Sequence, residues 1–153
     1  QLSAENAMRS LALASKNVTQ TEFVTSSALI SAIALAAKSL DSRVQVEVPV
    51  DSTFNVPSEV AKGITEATIQ ALDNAIQHSM AKEITLRMLA DFNSQLTVII
   101  EDDGLGFRVD RIPRDRIGIK TSIQFRLTSI GGAAEITSKP GEGTLVKLVW
   151  PID

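Results

Sequence analysis

Cysteine is absent from this 153-residue chain, so neither a disulfide framework nor a thiolate metal site can form. A single histidine, His78, cannot build an imidazole-rich metal centre alone. Zinc and cysteine chemistry are therefore excluded. Tyrosine is missing too and Trp150 is the lone tryptophan, which argues against a platform on which successive nucleotide bases stack. The most apolar stretch, Ala28 to Ala37, contains Ser31 and falls well short of the roughly 20 residues that span a bilayer. It reads as a core helix. A block of one charge sign is lacking as well. The net charge of −3 arises from interleaved acids and bases, which argues against nucleic acid or an anionic membrane as partner of the whole surface. The one basic-rich stretch is Arg108 to Lys120. What is present is a 44% hydrophobic content in a length that fits one domain, enough to bury a core without staples. No signal-peptide pattern opens the chain and its first residue is Gln1, so a piece of a longer protein is expected.

The pattern Ala7, Leu11, Ala14 predicts a short amphipathic helix over Ser3 to Lys16, and a second helix is expected from about Thr21 to Leu40. In Arg43 to Val50 valine alternates with polar residues, the period of a half-buried strand, and Pro49 assigns it to an edge or a strand end. A turn over Asp51 to Asn55 precedes a long helix, N-capped by Ser58 and running to about Ser79. Glu83 to Ala90 and Gln95 to Glu101 read as an antiparallel hairpin. A loop over Asp102 to Arg116 leads to a helix from Gly118 to Ile130, ended by Gly131 and Gly132. Ala133 to Ser138 and Thr144 to Trp150 form a last hairpin. This order predicts an α+β fold, a two-layer α/β sandwich with a mixed sheet and helices on one face.

On the long helix Glu66, Gln70, Asp73, Asn74, Gln77 and His78 share one side, while Val60, Ile64, Ala67, Ala71 and Ala75 share the other. On its own such a polar face is most often only solvated. Its residue types are unusual, however: short amides, acids and a histidine suit ligation of a hard cation and bonding to phosphate better than flexible lysines do. Asp102-Asp103-Gly104-Leu105-Gly106-Phe107 follows a strand directly, placing an acid where it can accept a hydrogen bond from an exocyclic amine, beside glycines that allow close approach. An ordinary Asp-Gly turn would look the same. Neither GxGxxG in a strand–turn–helix setting nor a Walker A loop is present. Gly118 at a helix start, followed by Ser122 and preceded by Arg108, Arg111, Arg114 and Arg116, could attract an anion, or could be a capped helix after a solvated loop. Gly143-Thr144 opens the last strand.

Taken in order, these four pieces resemble the ATPase domain shared by gyrase, Hsp90, sensor histidine kinases and MutL, over about Thr21 to Asp153. The sensor histidine kinase catalytic domain is the nearest pattern, carried by Glu66 through Asn74 to His78-Ser79, by Asp102 to Phe107, and by Gly131-Gly132 through Gly141-Glu-Gly143-Thr144 to Trp150-Pro151. The resemblance implies ATP and Mg²⁺ as cofactors, with Asn74 ligating Mg²⁺, Glu66 as catalytic acid or base, and His78 on phosphate oxygens. It implies Asp102 on the adenine amino group, Gly104 and Gly106 passing the base, Thr144 supporting Asp102, Gly118 and Ser122 on the nucleotide, and Arg108 to Ile117 as a lid. Arg116 stands where the family's third motif commonly has its first glycine.

The only histidine is already committed to the nucleotide site, so the resemblance implies that the phosphoacceptor histidine lies on a separate dimerisation domain, with residues 1–20 its remnant or linker. A response regulator, a homodimeric full-length protein and a cytoplasmic setting follow from the same likeness, membrane attachment of the parent being left open. Two other readings share the fold: a stand-alone serine kinase that binds a sigma factor, and a binding module in which nucleotide only changes conformation.

Overall fold

The computed structural model describes residues 22–108 and 114–152, the side chains of 114–119 excepted. The expected helix over Ser3 to Lys16 and residues 109–113 of the expected lid lie outside the described residues.

The chain enters through β1 (Phe23–Thr25), which pairs antiparallel with β3 (Asn55–Pro57) in a small ribbon. Helix α1 (Ser26–Leu40) follows at once. A helix had been expected from about Thr21, and a turn over Asp51 to Asn55; three-residue strands carry too little periodicity to be read. Thr25 is the N-cap of α1, its Oγ1 accepting the Ala28 N–H at 3.1 Å. Leu29, Ile30, Ile33 and Ala37 bury one stripe of this helix. Helix α2 (Ser58–His78) starts without a side-chain cap, because Ser58 is its first residue and Pro57 its N-cap. The Ser58 N–H donates instead to the Glu22 carbonyl at 2.9 Å, so backbone from the ribbon does the capping.

The main sheet has the order β2-β4-β5-β7-β6, built from β2 (Val44–Asp51), β4 (Ile84–Ala90), β5 (Leu96–Asp102), β6 (Ala133–Ser138) and β7 (Thr144–Trp150). Only the β2–β4 pair is parallel. β2 lies at an edge, as Pro49 requires, and its register slips between Glu47 and Val50. Along β4 and β5 every second residue is buried, from Ile84 to Ala90 and from Leu96 to Asp102. That face carries α1, α2 and α3 (Arg114–Ser129), so the fold is two layers, helices over one side of a mixed sheet. Ile33, Ile64, Leu72, Leu86, Met88, Ile123 and Leu127 are almost wholly buried between the layers, each contributing about 1.5–3 kcal/mol relative to exposure. Gly131, with φ +82°, ends α3, and the Gly132 N–H reaches back to the Leu127 carbonyl at 2.8 Å.

Candidate functional site

Helix α2 divides as its sequence pattern requires. Val60, Ala61, Ile64, Ala67, Ala71, Leu72 and Ala75 face the core, and the acids and amides face away from it. Asp73 accepts from Gln77 Nε2 at 3.0 Å, one turn apart. Asn74 is different: its Oδ1 is buried and has no hydrogen-bond partner among the described residues. A buried acceptor left open costs stability and calls for an explanation. Helix α3 leans on the same side of α2. Ser122 Oγ lies 3.4 Å from Gln70 Oε1, and Arg126 pairs with the carboxylate of Glu66.

The C-terminal end of α2 is fixed from two directions. Arg43, gripped by Asp41 through Nε at 2.9 Å, donates to the carbonyls of Ile76 at 3.1 Å and Ala81 at 2.8 Å. These carbonyls lie beyond the helix's own bonding, and the guanidinium satisfies them. The same contact holds the Asp41 carboxyl down to about 2, chiefly through the side-chain hydrogen bond from Arg43. On the other side the Ser79 carbonyl accepts the Leu105 N–H at 2.7 Å, which docks the segment after β5 against the residue following His78.

That segment begins at Asp102, the last residue of β5 and 7% exposed, whose Oδ1 accepts the Gly104 N–H at 2.9 Å. Asp103 turns the other way and accepts the N–H groups of Lys82 and Glu83 at 2.8 and 3.0 Å. These backbone bonds, that of Glu83 foremost, lower its carboxyl below the usual range. Glycine is obligatory here. A Cβ on Gly104 would lie 2.1 Å from the Ser79 carbonyl oxygen, and one on Gly106, whose φ is +63°, 2.0 Å from the Lys139 carbonyl oxygen. The loop is thus threaded between the end of α2 and the β6–β7 turn, where Gly141 N–H donates to the Leu105 carbonyl at 2.7 Å.

Across the sheet end, Asp102 faces Thr144 in the β5–β7 ladder and Thr144 faces Ser138 in the β7–β6 ladder. The buried Ser138 hydroxyl accepts the Phe107 N–H, contacts Thr144 Oγ1 and donates to the Gly143 carbonyl, each at 2.9 Å.

The expected residues around the end of α2 and the end of β5 therefore come together. Asn74 and His78 lie on the last turns of α2, Asp102, Gly104 and Gly106 pack against its end, and Thr144 stands beside Asp102. Ser122 joins through Gln70, one turn before Asn74. Glu66 lies a turn further back, held by Arg126. Gly118 does not start a helix. α3 begins at Arg114, so Gly118 is in its second turn, and the stretch 114–117, expected as loop and lid, is helical. Glycine lowers helix propensity by only about 1 kcal/mol relative to alanine, which the helix tolerates. Four contributors were given no site role from the sequence: Arg43, Ser79, Arg126 and Ser138. Two of them carried a signal, Ser79 as the end of the α2 motif and Ser138 by its position just before a glycine-rich turn.

With this geometry in view, the likeness to known proteins is specific. Residues 59–153 match the family model described as histidine kinase-, DNA gyrase B- and HSP90-like ATPase. The chain belongs to this ATPase family. Sensor histidine kinase LiaS of Bacillus subtilis is 32% identical over 109 residues, covering 68% of this chain and 30% of LiaS. Sensor protein VraS of Staphylococcus haemolyticus is 30% identical over 102 residues, covering 65% of this chain and 28% of VraS. The chain spans about 30% of the length of these relatives. Among solved structures, the histidine kinase domain of the blue-light activated kinase EL346 of Erythrobacter litoralis superposes with a TM-score of 0.61 at 28% identity. That match covers 80% of this chain and 58% of the other. The mycobacterial sensor histidine kinase MprB shares the fold, with a TM-score of 0.64 at 20% identity over 86% of this chain and 97% of that one. Within the ATPase family the domain is of the protein histidine kinase catalytic type.

Proposed function

We propose that this domain binds ATP with Mg²⁺ and donates the γ-phosphate to a histidine on a separate dimerisation domain. In this reading it is the catalytic part of a dimeric two-component sensor kinase that passes phosphate to a response regulator. The observation that carries the reading is the strand-end carboxylate of Asp102, buried and bonded to Gly104, packed against the end of a helix whose Asn74 keeps a buried oxygen without a partner. Asp102 accepts the adenine amino group, and Gly104 and Gly106 admit the base. Asn74 Oδ1 fits Mg²⁺, a hard cation that takes oxygen ligands and keeps several of its waters. When bound, the ion neutralises phosphate charge, and the protein's own part is positioning.

His78 at the helix end bonds phosphate oxygens, and Ser122 and Gly118 line the side where α3 leans in. Glu66 orients the attacking group from its pairing with Arg126. Its carboxylate is already engaged by a guanidinium, which favours a role in alignment over one in donating a proton.

Calorimetric titration of ATP with and without Mg²⁺, with GTP as control, tests the base site and the metal site together. Micromolar-range ATP binding that responds to Mg²⁺ is expected. Phosphate transfer is then read by adding a histidine-bearing dimerisation domain. No ATP binding by the folded chain would refute the proposal.

A further inference from the structure

Ser138 has one hydroxyl proton and three polar neighbours. The Gly143 carbonyl can only accept, so at 2.9 Å it takes that proton; the Phe107 N–H can only donate, and does so at 2.9 Å. The third neighbour is Thr144 Oγ1, also at 2.9 Å. With its own proton spent, Ser138 can meet Thr144 only as an acceptor. The Thr144 proton is thereby directed at Ser138, and lone pairs are what Thr144 has left to offer. Asp102 is the direct ladder partner of Thr144 and lies on the same face of the sheet, two strands from Ser138. A carboxylate also only accepts. The strand-end row consequently presents acceptors alone.

We infer that Ser138 is a specificity-determining positioning residue: by fixing the Thr144 proton it makes the Asp102–Thr144 pair select a base edge that carries an amino group and reject one that carries a carbonyl. The inference rests on the nucleotide-binding reading above and adds the source of its base selectivity. An amino edge supplies protons to both acceptors. A carbonyl edge sets its oxygen against an acceptor with no proton between, its ring N–H can serve only one of the pair, and the unpaired, desolvated groups oppose binding. The Ser138 bond to Phe107 serves the same end, since it holds the far side of the loop that starts at Asp102.

The test uses the full 153-residue chain, titrated with ATP and with GTP. The parent is expected to prefer ATP by at least about tenfold. Ser138→Ala releases the Thr144 proton to turn toward the ligand, and the preference is expected to fall about fivefold or more, mainly through improved relative binding of GTP. Ser138→Thr keeps the hydroxyl and retains the preference. Thr144→Val removes the hydroxyl without disturbing the Ser138–Gly143 bond and also lowers the preference, so the result stands even if Ser138→Ala fails to fold. Val98→Ala, a core change in the middle of β5, controls for lost stability and should leave the ratio unchanged.

If the parent binds ATP while Ser138→Ala and Thr144→Val keep its full preference, the inference falls and the proposed function stands. An equal loss of preference in Val98→Ala overturns it as well, by making the effect one of stability. A parent that binds neither nucleotide overturns the proposed function, and the inference with it.

Discussion

Around Asp102–Phe107 the contacts are short, made by backbone, short carboxylates and small hydroxyls, and those of Asp102 and Ser138 are buried or half-buried, whereas α2 and α3 meet through long side chains. Arg126 and Glu66 remain 38% and 41% exposed in their side chains. The first region has almost no freedom, because Gly104, Gly106 and Gly143 stand where any Cβ would strike a carbonyl. The second can lose or re-form a solvent-screened ion pair at small cost. A recognition surface that must discriminate between similar bases needs the former construction. Substitutions on each side should therefore differ in kind as well as size.

The sharpest way to break this contrast is Gly143→Ala. The position has φ +77° and a Cβ would lie 1.9 Å from the Asp102 carbonyl oxygen, so about 3 kcal/mol or more of stability should be lost, read by urea unfolding. An unchanged midpoint would show that the loop is not rigid. Asp102→Ala comes next. It should cost ATP about 2–3 kcal/mol, or roughly thirty- to 150-fold in affinity, with the fold retained by circular dichroism. Equal affinity would remove Asp102 from the base site.

On the α2 side, Asn74→Ala should abolish the Mg²⁺ dependence of ATP binding while stability stays within about 0.5 kcal/mol, since it deletes an acceptor that has no partner. Unfolding as its main effect would make that face structural. Arg126→Ala should cost less than about 1 kcal/mol, and less again at high salt, because the pair is screened. A larger loss would mean that the two regions are equally rigid.

The smallest effect belongs to Asp41. Its native pKa is lowered from 3.8 to about 2, so its contribution is present above pH 3.8 and is lost as pH falls through that range toward 2. Asp41→Asn should flatten the acid unfolding limb in that window and leave neutral-pH stability less sensitive to acid. A limb of unchanged steepness would place the acid sensitivity elsewhere, with Asp103 the next carboxylate to test.

Much of this was legible in the chain itself. The division of α2 into an apolar and a polar face follows from the 3.6-residue period, and both hairpins follow from two-residue alternation around Asp91–Ser94 and Lys139–Gly143. The turn at Asp91 even carries its own bonds, Oδ1 accepting the N–H groups of Asn93 and Gln95. Two of the misreadings share a cause. The β1–β3 ribbon joins residues about thirty positions apart, and the cap of α2 is the distant Glu22 carbonyl. Neither leaves a local pattern. The start of α3 was misplaced because a glycine was read as a boundary when it sits inside a helix.

Of the site, the sequence alone settled the residue types and their spacing along each element: an asparagine and a histidine one helical turn apart, an acid at a strand end, glycines beside it. These are fixed by covalent order and by the periods of helix and strand. Only the tertiary structure decided that Asp102, Thr144 and Ser138 form one row, that Arg43 completes the end of α2, and that Glu66 is held by Arg126. Such pairings depend on sheet register and helix docking. Register and docking are set by how the buried face packs as a whole, and no local stretch of the chain encodes them.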